Sequence, residues 1–256
     1  MANAPYMYWV GMNTAPDLTA EEEKKFSDFY SNVHAHEVVA SNEGFIRATR
    51  YELLEGDPRN DHGPRWLAMY EMDGKDAADC YIEHNDGPPE GRPKYSPGLN
   101  MGRQTGVGGW RLIWRRHAPV EGEIGAGGAP YIMLIGMDVP PGTDAEGMKQ
   151  FDEFYTNTHV PEVVRNSNFI RGTRYELYRQ FSHPEPGSPR FLALYEGDEK
   201  AMATRAERRA NPGSGPKSSS GPPPWEAHDT MWRLIYKRVD SYAKPADSSA
   251  DDKRPR

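Results

Sequence analysis

FYSNVHAHEVVASNEGFIRATRYELLEG, beginning at Phe29, returns as FYTNTHVPEVVRNSNFIRGTRYELYRQ beginning at Phe154, so the chain states one unit twice. Working outward, Pro5-Tyr6 answers Pro130-Tyr131, Gly11-Met12 answers Gly136-Met137, and His34 answers His159 at a spacing of 125 residues. PRWLAMYE from Pro64 matches PRFLALYE from Pro189, and WRLIWRR from Trp110 matches WRLIYKR from Trp232. A period this long, present in two copies only, describes two related domains and not a solenoid of short repeats.

Each copy reads as the same string of elements. Tyr6–Met12 and Tyr131–Met137 are apolar runs suited to a central strand covered on both faces. Thr19 and Thr143 stand where an N-cap is wanted, ahead of helices from about Glu21 and about Asp144. Pro161 predicts that the second of these helices breaks near His159 and restarts with the proline at its first position, and the first copy, with His36 there, should follow the same path. Strands from Phe45 and Phe169, strands from Arg65 and Arg190, helices over about 75–84 and 199–210, and strands from Trp110 and Trp232 complete the order βαββαβ in both copies. Such a unit makes a four-stranded antiparallel sheet with both helices on one face, leaving the other face bare. Leu67 and Met69 alternate with Trp66, Ala68 and Tyr70, so both faces ask for burial, and the second copy is the natural cover. The expected fold is α+β: tandem ferredoxin-like repeats packed sheet to sheet as an intramolecular α+β barrel. The expected division is 1–120, a Gly-rich joint at 121–129, 130–240, and a disordered tail at 241–256. Gly/Pro/Ser-rich loops at 85–109 and 211–224 precede the fourth strand of each copy and read as lids or disorder.

The formal net charge of −7 argues against nucleic acid as the main partner. No apolar run is long enough to span a membrane. A single cysteine, Cys80, excludes an intrachain disulfide, has no sequence neighbour that would make it reactive and is read as core, and a reducing cytoplasm is the expected compartment. GRQTGVGG from Gly102 is not a phosphate loop, because it lacks the Lys-Ser/Thr ending and precedes a strand.

The aromatic helix Phe151-Asp-Glu-Phe-Tyr155 running into His159-Val160-Pro161, then Asn168-Phe169-Ile170-Arg171, resembles the EthD-like branch of the dimeric α+β barrel superfamily, over roughly 5–117 and 130–239. The first copy departs from that pattern at His36. The resemblance implies a small-molecule enzyme without cofactor, of the lyase, isomerase or decarboxylase kind, acting on an aromatic or polyketide-like substrate. It also allows a homodimer, a monooxygenase (cofactor-free or, as in more distant relatives, haem-dependent), or a barrel that binds a ligand without turning it over.

His34 and His159 are the leading acid/base candidates, since imidazole changes charge near neutral pH; the alternative is a histidine capping a frayed helix end. Glu37 and Glu162, three residues on, either orient those imidazoles or simply favour the first turn of the following helix. His36 is a second acid/base candidate or a solvent-facing residue. Tyr30, Tyr155, Tyr51 and Tyr175 offer phenols to an enolate, and Arg50 and Arg174 a fork for a substrate carboxylate; core packing and cross-strand ion pairs are the structural alternatives. A metal shared by His34, Glu37, His159 and Glu162 is incompatible with a barrel that puts the two first helices on opposite outer layers. The copies differ at His36 and His84 and in their lids, and the added ionisable groups His36, His62 and His84 favour the first half as the working one.

Overall fold

The computed structural model describes residues 4–57, 63–98, 109–118, 122–124 and 128–245. The first half contains β1 (Tyr6–Met12), α1 (Ala20–Phe29), α2 (Ala35–Ser41), β2 (Phe45–Glu55), β3 (Trp66–Met72), α3 (Lys75–Asp86) and β4 (Trp110–Arg116). The second contains β5 (Tyr131–Asp138), α4 (Ala145–Phe154), α5 (Val160–Asn166), β6 (Arg171–Ser182), β7 (Phe191–Gly197), α6 (Glu199–Ala210), the short α7 (Pro223–Glu226) and β8 (Asp229–Ala243).

All neighbouring strands pair antiparallel, in the closed order β1-β3-β2-β8-β5-β7-β6-β4. The halves therefore do more than face one another. β2 bonds to β8 and β6 to β4, so the backbone groups that each sheet would leave bare at its edges are satisfied by the other half. The interior is built from the sheet faces that carry no helix, including Trp9, Met69, Trp114, Leu134, Leu194 and Trp232. Leu67 and Met69 point into it, while Trp66, Ala68 and Tyr70 join the layer beneath the helices, as the strand alternation predicts. Two outer apolar layers lie under α1–α3 and under α4–α7.

Gly11 and Gly136, repeated in sequence, pair across the ladder with Trp110 and Trp232. A Cβ on Gly11 would lie 2.9 Å from Trp110 Cβ, and one on Gly136 would lie 2.6 Å from Trp232 Cε2. These glycines let the two indoles close over the strand and stack with centroids 5.1 Å apart at the seam between the halves.

Several boundaries differ from the sequence reading. Neither first helix breaks: a π turn, Tyr30–His34 and Tyr155–His159, carries each helix through, with φ/ψ of −69/−49 at His159. The extra residue in the turn absorbs the conflict with Pro161, which enters in the first turn of α5 where its missing N–H is not needed. Thr19 caps α1 in a reciprocal box with Glu22, but the cap of α4 is Asp144 and not Thr143, because the Asp144 carboxylate accepts from Gly147 N at 2.8 Å. β6 starts at Arg171, after Asn168 turns the chain at φ 55. β8 runs through Ala243 against Arg47, so Ser241 is sheet and not the start of a loose tail. Residues 99–108, 119–121, 125–127 and 246–256, on which the expectations for the first lid, the joint and the tail partly fall, lie outside the described residues. Among the described residues, no helix is long and apolar enough to cross a membrane.

Candidate functional site

His34 and His159 each close a π turn, and an arginine from the neighbouring strand braces each turn. Arg50 Nη1 donates to Ser27 O at 2.7 Å and Ser31 Oγ at 2.7 Å. Arg174 does the same to Asp152 O at 3.2 Å and Thr156 Oγ1 at 2.7 Å, with Nη2 on the Asp152 carboxylate at 2.8 Å. Both arginines are buried and lie over the tyrosines that open the turns, 4.6 Å from the Tyr30 ring and 4.2 Å from the Tyr155 ring. They hold the helices in place, which corrects their reading as a fork for a substrate carboxylate.

The glutamates are corrected as well. Glu37 accepts from Ser96 N at 2.9 Å and Ser96 Oγ at 2.5 Å, and Glu162 accepts from Ser219 N at 3.2 Å and from the Ser219 hydroxyl. These bonds depress both carboxyls and tie the loops before β4 and β8 onto α2 and α5. Neither carboxylate hydrogen-bonds its histidine; they act on it only as nearby charges. His36 stacks on Tyr242 of β8 with centroids 3.6 Å apart, a contact between halves and not a pocket group. Tyr51 and Tyr175 are buried inside the barrel, on the face of their strands away from both histidines. Cys80 is half-buried, with His84 Nδ1 3.8 Å from its sulfur, so it is neither core nor without an imidazole neighbour.

The histidines keep their place at the centre of the two candidate sites, and their surroundings separate them. Burial lowers the pKa of both, His159 to about 4, and the Nδ1 of each has no hydrogen-bond partner in the described structure. Beside His34 the volume is filled. Tyr95 meets its ring edge-on at 5.1 Å, and Tyr81 packs on Tyr8 at 4.6 Å and Phe45 at 5.3 Å. The Tyr30 hydroxyl is spent on Tyr70 at 3.1 Å, and burial pushes its pKa up to about 12. Beside His159 there is a cavity of about 560 Å³. Three exchanges open it. Met133 pairs with Tyr195 as Tyr8 pairs with Tyr70, Arg205 and Tyr81 are each the seventh residue of their helix, and Ser218 and Tyr95 each precede the serine held by glutamate.

The cavity has an apolar floor of Met133, Ile135, Met137 and Phe169, and it includes His159, Tyr155 and His228. Trp225 of α7 closes it, 4.3 Å from the His159 ring and 4.6 Å from His228. The Tyr155 hydroxyl is buried without a hydrogen-bond partner among the described residues, and desolvation raises its pKa, so it stays a neutral donor. His228 is engaged at both nitrogens, by Trp225 O and by Thr230 Oγ1 at 3.3 Å. Trp225, His228 and Arg205 escaped the sequence reading, and Arg208 or Arg209 entered it only as the counterpart of His84; a lone tryptophan in a Gly/Pro/Ser stretch was the available signal. His62, one of the groups that favoured the first half, lies outside the described residues.

A haem would need an imidazole whose second nitrogen is held by a carboxylate, carbonyl or water. Among the described residues no carboxylate or carbonyl holds His159 Nδ1, Glu162 is committed to Ser219, and both nitrogens of His228 are engaged, so no protein group here orients an imidazole for axial ligation. Among the described residues no group of three or more His, Cys, Asp or Glu could hold a metal ion.

No protein-family model matches the chain, and no curated protein sequence does. Solved structures match over nearly its whole length. An anthrone oxidase-like protein superposes with a TM-score of 0.52 at 11% identity, covering 94% of each chain. A chlorite dismutase from Candidatus Nitrospira defluvii, in complex with cyanide, superposes with a TM-score of 0.51 at 12% identity, covering 93% of this chain and 92% of its own. At such identities the likeness concerns architecture alone: a mixed α+β fold whose eight strands close into an antiparallel barrel.

Proposed function

We propose that the protein is a small-molecule enzyme of the EthD-like branch whose working site is the second-half cavity, acting by acid/base chemistry on an aromatic or polyketide-like molecule without a bound cofactor. One observation carries this reading: a half-buried, neutral His159 and a Tyr155 hydroxyl with no hydrogen-bond partner among the described residues, four residues apart, line the same cavity over its apolar floor. An imidazole nitrogen of His159 takes a proton from a carbon beside a carbonyl, and the electron pair moves onto the carbonyl oxygen, where the Tyr155 O–H donates to the developing enolate. Expulsion of a β-hydroxyl, which leaves as water with the proton returned by His159, gives a lyase; reprotonation at another carbon gives an isomerase. Loss of CO₂ from a β-keto acid forms the same enolate directly. A cofactor-free monooxygenase would begin from the same carbanion, and oxygen uptake in an electrode separates it from the others.

The two halves are read as tandem ferredoxin-like repeats, 1–120 and 130–240 about a joint at 121–129, with the first half acting mainly as cover for the second. The repeated element order, the equivalent order of strands in each half and the tyrosines filling the space beside His34 support this. The test is turnover of a panel of enolisable aromatic ketones and β-keto acids by the unaltered protein and by His159→Ala. Turnover lost in the variant supports the reading. Turnover retained there places the chemistry elsewhere, and binding without turnover leaves a ligand-binding barrel.

A further inference from the structure

Four guanidinium groups, Arg205, Arg208 and Arg209 of α6 and Arg233 of β8, line the second-half cavity, and among the described residues no carboxylate does. The first three are spaced i, i+3 and i+4, so a single helix face presents them. The acidic partner at this wall is Glu55 of β2, whose Oε2 is shared by Arg205 Nη2 at 3.0 Å and Arg209 Nη2 at 2.6 Å, while Arg208 is held by Ser167 Oγ at 2.9 Å and by Asn166 O. One described carboxylate against the three arginines of α6 leaves a positive wall on a chain whose net charge is −7. The corresponding face of α3 carries Tyr81, His84 and Asn85, so the charge belongs to the half with the cavity.

The first half also shows what that volume accommodates. There it holds the rings of Tyr8, Tyr81 and Tyr95, and Arg111 Nε donates to the Tyr8 phenol at 3.0 Å. Arg111 pairs with Val10 as Arg233 pairs with Ile135, so a guanidinium occupies the same ladder position in both halves.

We propose, resting on the reading of this cavity as the working site, that its ligand is an anionic aryl compound, its rings on the Met133–Phe169 floor and its carboxylate or phenolate against Arg205, Arg208 and Arg209. Fork-shaped donors suit a planar carboxylate, and the partial burial of Arg205 and Arg208 strengthens the bond.

Equilibrium dialysis of the full chain with naphthoate and with the corresponding naphthyl alcohol tests it. Naphthoate should bind about tenfold tighter or more at low salt. That preference should shrink as potassium chloride is raised, a measurement that needs no variant, and it should vanish in Arg205→Gln/Arg209→Gln with affinity for the alcohol unchanged. Equal affinities at low salt, or a preference that survives the double substitution, overturn the proposal while leaving an aryl-binding cavity in place. Binding of neither probe overturns both.

Discussion

Glu162 holds Ser219 by two hydrogen bonds, to its backbone N–H at 3.2 Å and to its hydroxyl, and so fastens the loop that carries Trp225 over the cavity. Glu162→Ala should leave the thermal midpoint nearly unchanged, because an exposed surface tie contributes little to global stability. It should release the loop locally. Hydrogen exchange at the Ser219 amide checks this, and unaltered protection would show that the tie does not anchor the lid.

His159→Ala should lower kcat/KM by about two or more orders of magnitude on an accepted substrate, the usual scale for a positioned general acid/base. His34→Ala should cost little activity, since its surroundings are filled with tyrosine. Equal losses in the two variants would indicate two equivalent sites.

Tyr155→Phe separates chemistry from folding. A buried hydroxyl without a partner is a desolvation cost, so its removal should keep or raise the denaturation midpoint. If the hydroxyl supports an enolate, kcat should fall by about 10²–10³ with KM little changed. A variant that is both less stable and fully active would contradict both expectations.

His159 also predicts a pH signature. Its folded pKa of about 4 lies below the ordinary 6.5, so between those values the unfolded chain binds more protons and stability rises with pH. Glu196 works in the opposite sense. Burial inside the barrel raises its carboxyl from 4.5 despite the adjacent Arg171, so its contribution falls as pH climbs through that raised range. Denaturant titrations at pH 5 and pH 7 on His159→Gln should therefore show less gain with pH than the unaltered protein; an identical gain would place the His159 shift in doubt. As a base, His159 should give a kcat/KM that is flat near neutrality and falls only toward pH 4.

Arg174→Met takes the donor from Thr156 Oγ1 and one of the donors of the Asp152 carboxylate, which keeps His117 Nε2 at 3.2 Å, and should destabilise the fold by about 1–3 kcal/mol, the scale of lost hydrogen bonds to a charged group. Denaturant unfolding measures this. A loss of substrate affinity at full stability would restore the direct contact with substrate that the geometry argues against.

Local pattern was enough for the element order, the correspondence of Gly11 with Gly136 and the choice of His34 and His159 as candidates, because apolar alternation, caps and a repeated motif are written in contiguous residues. The π turns were not legible, since Pro161 announces a disturbed helix without saying whether the chain breaks or widens; Arg174, arriving from β6, supports the widened form. The choice between the halves lay further from the sequence still. Extra ionisable groups pointed to the first, yet three side chains distant in sequence, Tyr8, Tyr81 and Tyr95, converge to fill the space beside His34, where Met133, Arg205 and Ser218 leave about 560 Å³ beside His159. Repetition by itself shows one stretch of sequence stated twice. Which of the two copies holds a cavity is a matter of volume, and volume is decided only when the strands and helices bring those side chains together.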